Sequence, residues 1–331
     1  MERDSYFDSL KWGLIVLVIY GHMISNNYYP GGSFGRAMYN TLYLFHMPLF
    51  VFLSGRFSQL NDRKRYRKGI LRLLESYFVF QVLLTLYNVM QGYDFSLSEF
   101  LLQPVYVMWY LISLISWRLM VYFMGDNVML RYPKAVVALS FVFCLAAGLF
   151  KHEMPLALQP TMVFMPFFLL GYYSVKVDLR QLVRKVPLWL AIFIVVAVFA
   201  VCYFLLNRNM RVLLASFAFR TPKDVAFRVV YMVVSMVMCV AVMRCWPGGK
   251  TMARWGRNTL FMYLWHPFVM FLICNVLPMS VRRADVWPVV YAAFSAALLT
   301  WLSRYEILNQ LLNPISYVVS KFKKPVVRDD N

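Results

Sequence analysis

Ten apolar runs, each about 20 residues long, follow one another along this chain with only short polar breaks. They lie at 11–29, 36–55, 68–90, 103–125, 133–151, 160–175, 186–206, 225–244, 257–278 and 285–306. A run of that length matches an α-helix crossing a hydrocarbon core of roughly 30 Å, where every backbone polar group must be satisfied inside the segment. The runs are too long for barrel strands and do not alternate. Composition agrees, with 61% of the 331 residues hydrophobic and 15% charged, against about 45–50% and about 25% in an ordinary soluble domain. A soluble enzyme, a disordered chain and a secreted disulfide scaffold are thereby excluded. The expected architecture is an all-α polytopic membrane protein of about ten transmembrane helices. One transmembrane domain covers 1–310, and a polar, basic tail, read as disordered from Lys321, covers 311–331. The first run contains His22 and no small-residue cleavage site follows it, so it reads as a retained helix rather than a signal peptide.

The formal net charge is +19. With the N-terminus in the cytoplasm, 24 Lys and Arg fall on the cytoplasmic side and 9 outside, with Arg72 just inside a helix. That asymmetry places both termini in the cytoplasm and assigns the positive charge to orientation and anionic lipid, not to nucleic acid. The outer segment 207–228 departs from it, with Arg208, Arg211, Arg220, Lys223 and Arg228. It reads either as a solvated loop or as a site for an anionic substrate. The five cysteines show no metal-ligand spacing and read as small core residues.

Titratable groups inside apolar runs are costly and mark function or a buried pair. His22 follows Lys11 by eleven residues, about 16 Å of helix with only ~20° of angular offset, so the two share a face. This suits a base at the bottom of a cytoplasm-facing cavity with a cation at its mouth. His46 lies in Phe45-His46-Met47-Pro48-Leu49-Phe50, followed by Ser54-Gly55. Pro48 frees a backbone carbonyl, and His46 either bonds that backbone or positions substrate or the first histidine. His266, before Pro267, lies about nine residues into a helix begun at Asn258-Thr259, and structural and functional roles are both open for it. Arg72 and Glu75, spaced i, i+3, read as an ion pair. Trp109, Tyr110 and Trp117 sit within the fourth run and line either a channel or the core. No nucleotide-binding glycine motif, no His-Glu-x-x-His and no carboxylate cluster occurs, so neither a metal nor a bound cofactor is expected.

These residues resemble the acyltransferase-3 family of integral membrane acyltransferases, with the opening Tyr6-Phe7-Asp8-Ser9-Leu10-Lys11 most similar to its fucose 4-O-acetylase-like group. The resemblance rests on four blocks in order: Lys11 to His22; the His46 block; Trp109-Tyr110-Leu111; and Phe167-Phe168-Leu169-Leu170-Gly171-Tyr172, followed by Gly256-x-Asn258-Thr259, Tyr263 and His266-Pro267. It implies an acyl-CoA donor, commonly acetyl-CoA, and transfer to a hydroxyl of a sugar, glycan or lipid-linked glycan, in a bacterial inner membrane. Lys11 and His22 take the places of the family's essential basic residue and histidine, with His22 as general base and His46 assisting. Arg3, Arg72, Trp109, Tyr110, Asn258, Tyr263 and His266 are the residues expected to hold substrate or acyl-CoA. Two departures stand out. The basic position, often Arg, is Lys11, which lacks a planar two-point contact, and a proline common in the family is Ser76. The rival readings are a secondary transporter of a sugar or lipid precursor, which the lack of matching halves disfavours, and a non-catalytic sensor or scaffold.

Overall fold

The computed structural model describes residues 4–26, 33–152, 154–205, 218–276 and 287–322, and these are helical with no strand among them. The elements are α1 (Ser5–Asn26), α2 (Ser33–Arg56), α3 (Arg63–Met90), α4 (Leu97–Leu102), α5 (Met108–Met129), α6 (Pro133–Ala146) and α7 (Leu158–Tyr173). They continue with α8 (Leu179–Arg184), α9 (Leu188–Phe204), α10 (Pro222–Cys245), α11 (Lys250–Trp255), α12 (Thr259–Val276), α13 (Trp287–Leu302), α14 (Glu306–Gln310) and α15 (Pro314–Phe322). A helix overlaps each of the ten apolar runs. Among the described residues six helical stretches are long and apolar enough to cross a membrane: Ser5–Ser25, Arg63–Met90, Leu97–Met129, Pro155–Lys176, Pro222–Cys245 and Lys250–Val276. Those over Pro133–Leu149, Leu188–Phe204 and Trp287–Leu302 are apolar but shorter, and α2 is long but interrupted by buried Asn40, Thr41 and His46.

Helix boundaries follow local chemistry. Asp62 caps α3, accepting from the Arg65 amide at 2.8 Å. Thr221 and Asp224 form a capping box at α10, with Pro222 at its first position, where a missing amide is harmless. The outer faces are apolar too. On α10, Phe227, Val230, Val233 and Val237 are exposed, while Tyr231, Ser235 and Met238 turn inward. A helix apolar on its exposed face belongs in lipid.

The centre is held by backbone-to-backbone contact. A Cβ on Gly55 of α2 would meet the Phe168 carbonyl oxygen at 1.9 Å, and one on Gly171 of α7 would meet the Phe52 carbonyl oxygen at 1.8 Å. The Ser54-Gly55 and Leu170-Gly171 pairs are thus two halves of one crossing, with small residues bringing the helices together. Gly256 does the same for α1, since its Cβ would meet the Asp8 carbonyl oxygen at 1.8 Å.

Three local expectations change. Arg72 and Glu75 do not pair: Arg72 is exposed on α3, and Glu75 accepts from the Ser316 amide at 3.0 Å and from the Ser316 hydroxyl. It caps the start of α15, where an anion meets free backbone amides. Ser76 donates to the Leu312 carbonyl at 2.9 Å, so both residues fasten to α3 a helix lying in the segment read as a tail. Arg228 is not in a solvated loop but fully buried within α10, its guanidinium 5.6 Å from the Phe219 ring centroid. Arg208 and Arg211 of that segment lie outside the described residues, as do Arg3 and the chain from Lys323 onward.

Candidate active site

Four helices, α1, α2, α5 and α12, each line both of two cavities in line along the bundle, with α7 adding to the first and α3 to the second. The larger, about 360 Å³, is lined by His22 of α1, His46 of α2, Tyr106 and Trp109 at the start of α5, and Gln103 and Gln159. The smaller, about 180 Å³, is lined by Lys11, by Ser54 and Ser58, by Tyr110 and Arg118 of α5, and by Thr259. Tyr263 of α12 borders both. Each helix contributes to the two cavities in the order its direction dictates: His22 and Lys11 on α1, His46 and Ser54 on α2, Trp109 and Arg118 on α5.

This corrects the expected single cavity. Lys11 and His22 share a helix face, but Tyr110 and Tyr263, with ring centroids 5.1 Å apart, fill the section between them. The Tyr263 hydroxyl donates to the Val107 carbonyl, and the Tyr110 hydroxyl lies 2.6 Å from Ser54 Oγ. His22 therefore belongs to a cavity lined toward the bundle end of Gln103, Met154 and Gln159, opposite to the Lys11 end. Near the Lys11 end α1 is closed by packing, since a Cβ on Gly13 would meet the Trp246 ring at 2.1 Å.

The three buried-run histidines differ in their fixtures. His22 Nδ1 lies 3.3 Å from the Tyr106 hydroxyl, and its ring is 5.3 Å from that of His266. His46 Nδ1 lies 2.7 Å from the Leu42 carbonyl oxygen. A carbonyl only accepts, so Nδ1 carries the proton and the lone pair of the neutral ring sits on Nε2. The carbonyl His46 bonds is not the Leu44 group freed by Pro48 but that of Leu42, two residues earlier. His266 Nδ1 likewise donates to the Tyr263 carbonyl at 2.7 Å. Among the described residues its Nε2 is buried without a hydrogen-bond partner, and the residue lines neither cavity, its ring standing 5.3 Å from that of His22.

Backbone strain gathers at the larger cavity. The non-glycine residues with positive φ among those described are Tyr106, Leu156 and Ala157, each at 53°, and Tyr106 and Ala157 both line it. Left-handed backbone at bulky residues costs on the order of 1–3 kcal/mol and persists where the surroundings over-determine it, commonly at sites.

At the other cavity, Lys11 Nζ is 2.7 Å from buried Asp8 and 4.1 Å from the Phe57 ring centroid. Arg118 donates from Nε to Ser58 Oγ at 3.0 Å. Arg118 carries a charge inside the fourth apolar run, the one sign in the sequence that it belonged to a site. Tyr106 and Gln159 carried no such sign. Asn258 donates to the Ser303 carbonyl at 3.0 Å, tying the start of α12 to the end of α13; like Arg72, it lines neither cavity. Trp109 stacks on Phe164 at 5.5 Å and walls the larger cavity, whereas Trp117 is core, donating to the Thr161 carbonyl.

The profile of an acyltransferase domain, that of the acyltransferase-3 family, matches residues 4–305, nearly the whole chain and all the elements that build these cavities. The chain belongs to that family. It is an integral membrane protein by that membership and by its apolar helices. Over 72 residues it is also 40% identical to the nodulation protein NolL of Mesorhizobium japonicum. The match covers 21% of this chain and 19% of that protein. No solved structure matches the chain.

Proposed function

We propose that this protein is a membrane O-acyltransferase that moves an acetyl group from acetyl-CoA to a hydroxyl of a sugar, glycan or lipid-linked glycan. The observation that carries the reading is the pair of in-line cavities meeting at Tyr263, one with two histidines and one with two cations. Lys11 and Arg118, at the end where the basic residues concentrate, suit the phosphates of CoA. The pantetheine arm, being thin, suits the narrower cavity and delivers the thioester to the Tyr110–Tyr263 section. The acceptor occupies the larger cavity from the opposite side. With ten spans and both termini cytoplasmic, the donor comes from the cytoplasm and the acceptor from outside the inner membrane of a bacterium.

His22 is the general base in this scheme. It takes the proton of the acceptor hydroxyl as that oxygen attacks the thioester carbon. The tetrahedral intermediate collapses, the carbon–sulfur bond breaks, and the CoA thiolate leaves and takes up the proton that His22 releases, which restores the neutral base. Tyr106 orients the His22 ring through Nδ1. His46, with Nε2 as acceptor, aligns the hydroxyl. A thioester is already activated, so positioning and one base are adequate chemistry. The transporter reading has no counterpart in the family assignment, and no pair of matching halves supports it.

The test is release of free CoA by detergent-purified protein given acetyl-CoA and a panel of glycan acceptors. Acceptor-dependent release should fall by about 10²–10⁴ in His22→Ala. Release unchanged in both His22→Ala and His46→Ala would overturn the assignment of the base.

A further inference from the structure

A third cavity, about 330 Å³, lies on the far side of α1 from Lys11 and takes no part in the chemistry above. It is lined by Tyr6 of α1, by Arg180, Val183 and Arg184 of α8, by Leu188 at the start of α9, and by Arg244, Cys245 and Trp246 at the end of α10. Arg180 and Arg184 are spaced i, i+4 and so project from one face of α8. Arg244 reaches the same space from the last turn of α10, its Nε donating to the Val186 carbonyl at 2.7 Å. Arg180 stands 5.5 Å from the Tyr6 ring centroid. None of the three arginines meets a carboxylate at salt-bridge distance among the described residues. The acidic groups at this end already have partners: Asp4 accepts from the Tyr6 amide and Asp178 from the Gln181 amide, at 2.8 and 3.0 Å. Three guanidiniums converging on one concave space form a site for a multiply bonded anion such as a phosphodiester.

The surroundings say what carries that anion. The cavity opens beside Leu188, where α9 begins, and α9 presents Trp189, Ile192, Phe193 and Val196 outward. Leu182 of α8 is exposed as well. A ligand lodged here has its charged group among the arginines and an apolar surface leading away along α9. Basic pockets between transmembrane helices at the cytoplasmic end are suited to lipid headgroups. We infer that this cavity binds the phosphate of an anionic phospholipid, with the acyl chains laid along α9, and that the bound lipid clamps α8 and the end of α10 against α1.

The experiment uses the full-length protein in detergent, with titrations of phosphatidylglycerol, cardiolipin and phosphatidylcholine followed by thermal unfolding and by native mass spectrometry of retained lipid. Wild type should gain melting temperature with the two anionic lipids and not with phosphatidylcholine. Arg180→Gln/Arg184→Gln should weaken that binding by roughly 30-fold, about a factor of five for each arginine at an anionic surface. Both positions are exposed, so the fold should survive, and the melting temperature of the lipid-free variant checks this. A parallel arm titrates CoA and inorganic pyrophosphate. Stabilisation by these two that is lost in the double variant would assign the site to soluble phosphate and overturn the lipid inference. Lipid stabilisation unchanged in the double variant would overturn it as well. Neither readout depends on acyl transfer, so the inference and the enzymatic assignment stand or fall separately.

Discussion

A single hydroxyl separates Tyr106 from the phenylalanine that would fill the same wall of the cavity, and that hydroxyl meets His22 Nδ1. Because φ at residue 106 is positive whatever the ring carries, Tyr106→Phe should fold as wild type does. One hydrogen bond to an active group is worth about 1–3 kcal/mol, so kcat should fall by roughly 10–100-fold with KM for acetyl-CoA little changed. An unaltered kcat would remove Tyr106 from any orienting role. Residues of this kind explain what the sequence shows and hides. His22, His46 and Lys11 are legible because polar groups in apolar runs are conspicuous, and Lys11 to His22 is a spacing helix geometry interprets. Tyr106 is one of 22 tyrosines, and what distinguishes it is a backbone conformation imposed by the surrounding helices. Glu75 misleads for a related reason. Its near neighbour in sequence is Arg72, but α15, some 240 residues later, offers unsatisfied amides, and a carboxylate gains more there than from an exposed pair.

At the scale of elements, helices can be read because their length and apolarity are one-dimensional properties, whereas their mutual approach cannot. Gly55 and Gly171 lie more than a hundred residues apart, and only the folded pair shows that each removes a Cβ from the other's carbonyl-bearing neighbour. Gly55→Ala and Gly171→Ala should therefore each prise α2 from α7, because packed interiors do not absorb overlaps of this size. The expected result is loss of monodisperse protein, or a melting temperature well below wild type, by size-exclusion chromatography and thermal unfolding. Gly69→Ala is the control. On α3 its Cβ would meet nothing nearer than Arg118 Nη1 at 3.5 Å, and replacing a helical glycine there should be neutral or stabilising by about 0.5–1 kcal/mol. Equal behaviour of all three variants would show that close approach is not what holds the crossing together. His46 sits two turns from that crossing on the same helix, so the glycine pair also fixes where the imidazole enters the cavity.

For the molecule as a whole, the proposed function gives the two substrates separate entrances. Ser98, on the short helix α4 that leads to Gln103 of the larger cavity, and Thr251, on α11 packed against α1, are both exposed. With Cys245 and Cys274 replaced by Ser, Ser98→Cys should react with an impermeant maleimide in intact cells and Thr251→Cys only after permeabilisation. Labelling of both from one side would contradict the orientation. Given that orientation, the Tyr110–Tyr263 section is what keeps the two compartments apart. Of the pair, Tyr263 borders both cavities and bonds the Val107 carbonyl. In Tyr263→Ala the side chain that divides them is gone and the cavities should run together, admitting water to the thioester. Catalysis by a base does not distinguish a sugar hydroxyl from water unless water is excluded. The variant should then release CoA from acetyl-CoA without any acceptor, while transfer to the acceptor falls, a change in ratio measured by comparing free CoA with acylated product. Tyr263→Phe keeps the ring and loses only the bond to Val107, so it should leak less than the alanine variant. If both variants retain the wild-type ratio of transfer to hydrolysis, the partition is made elsewhere and Tyr263 only packs.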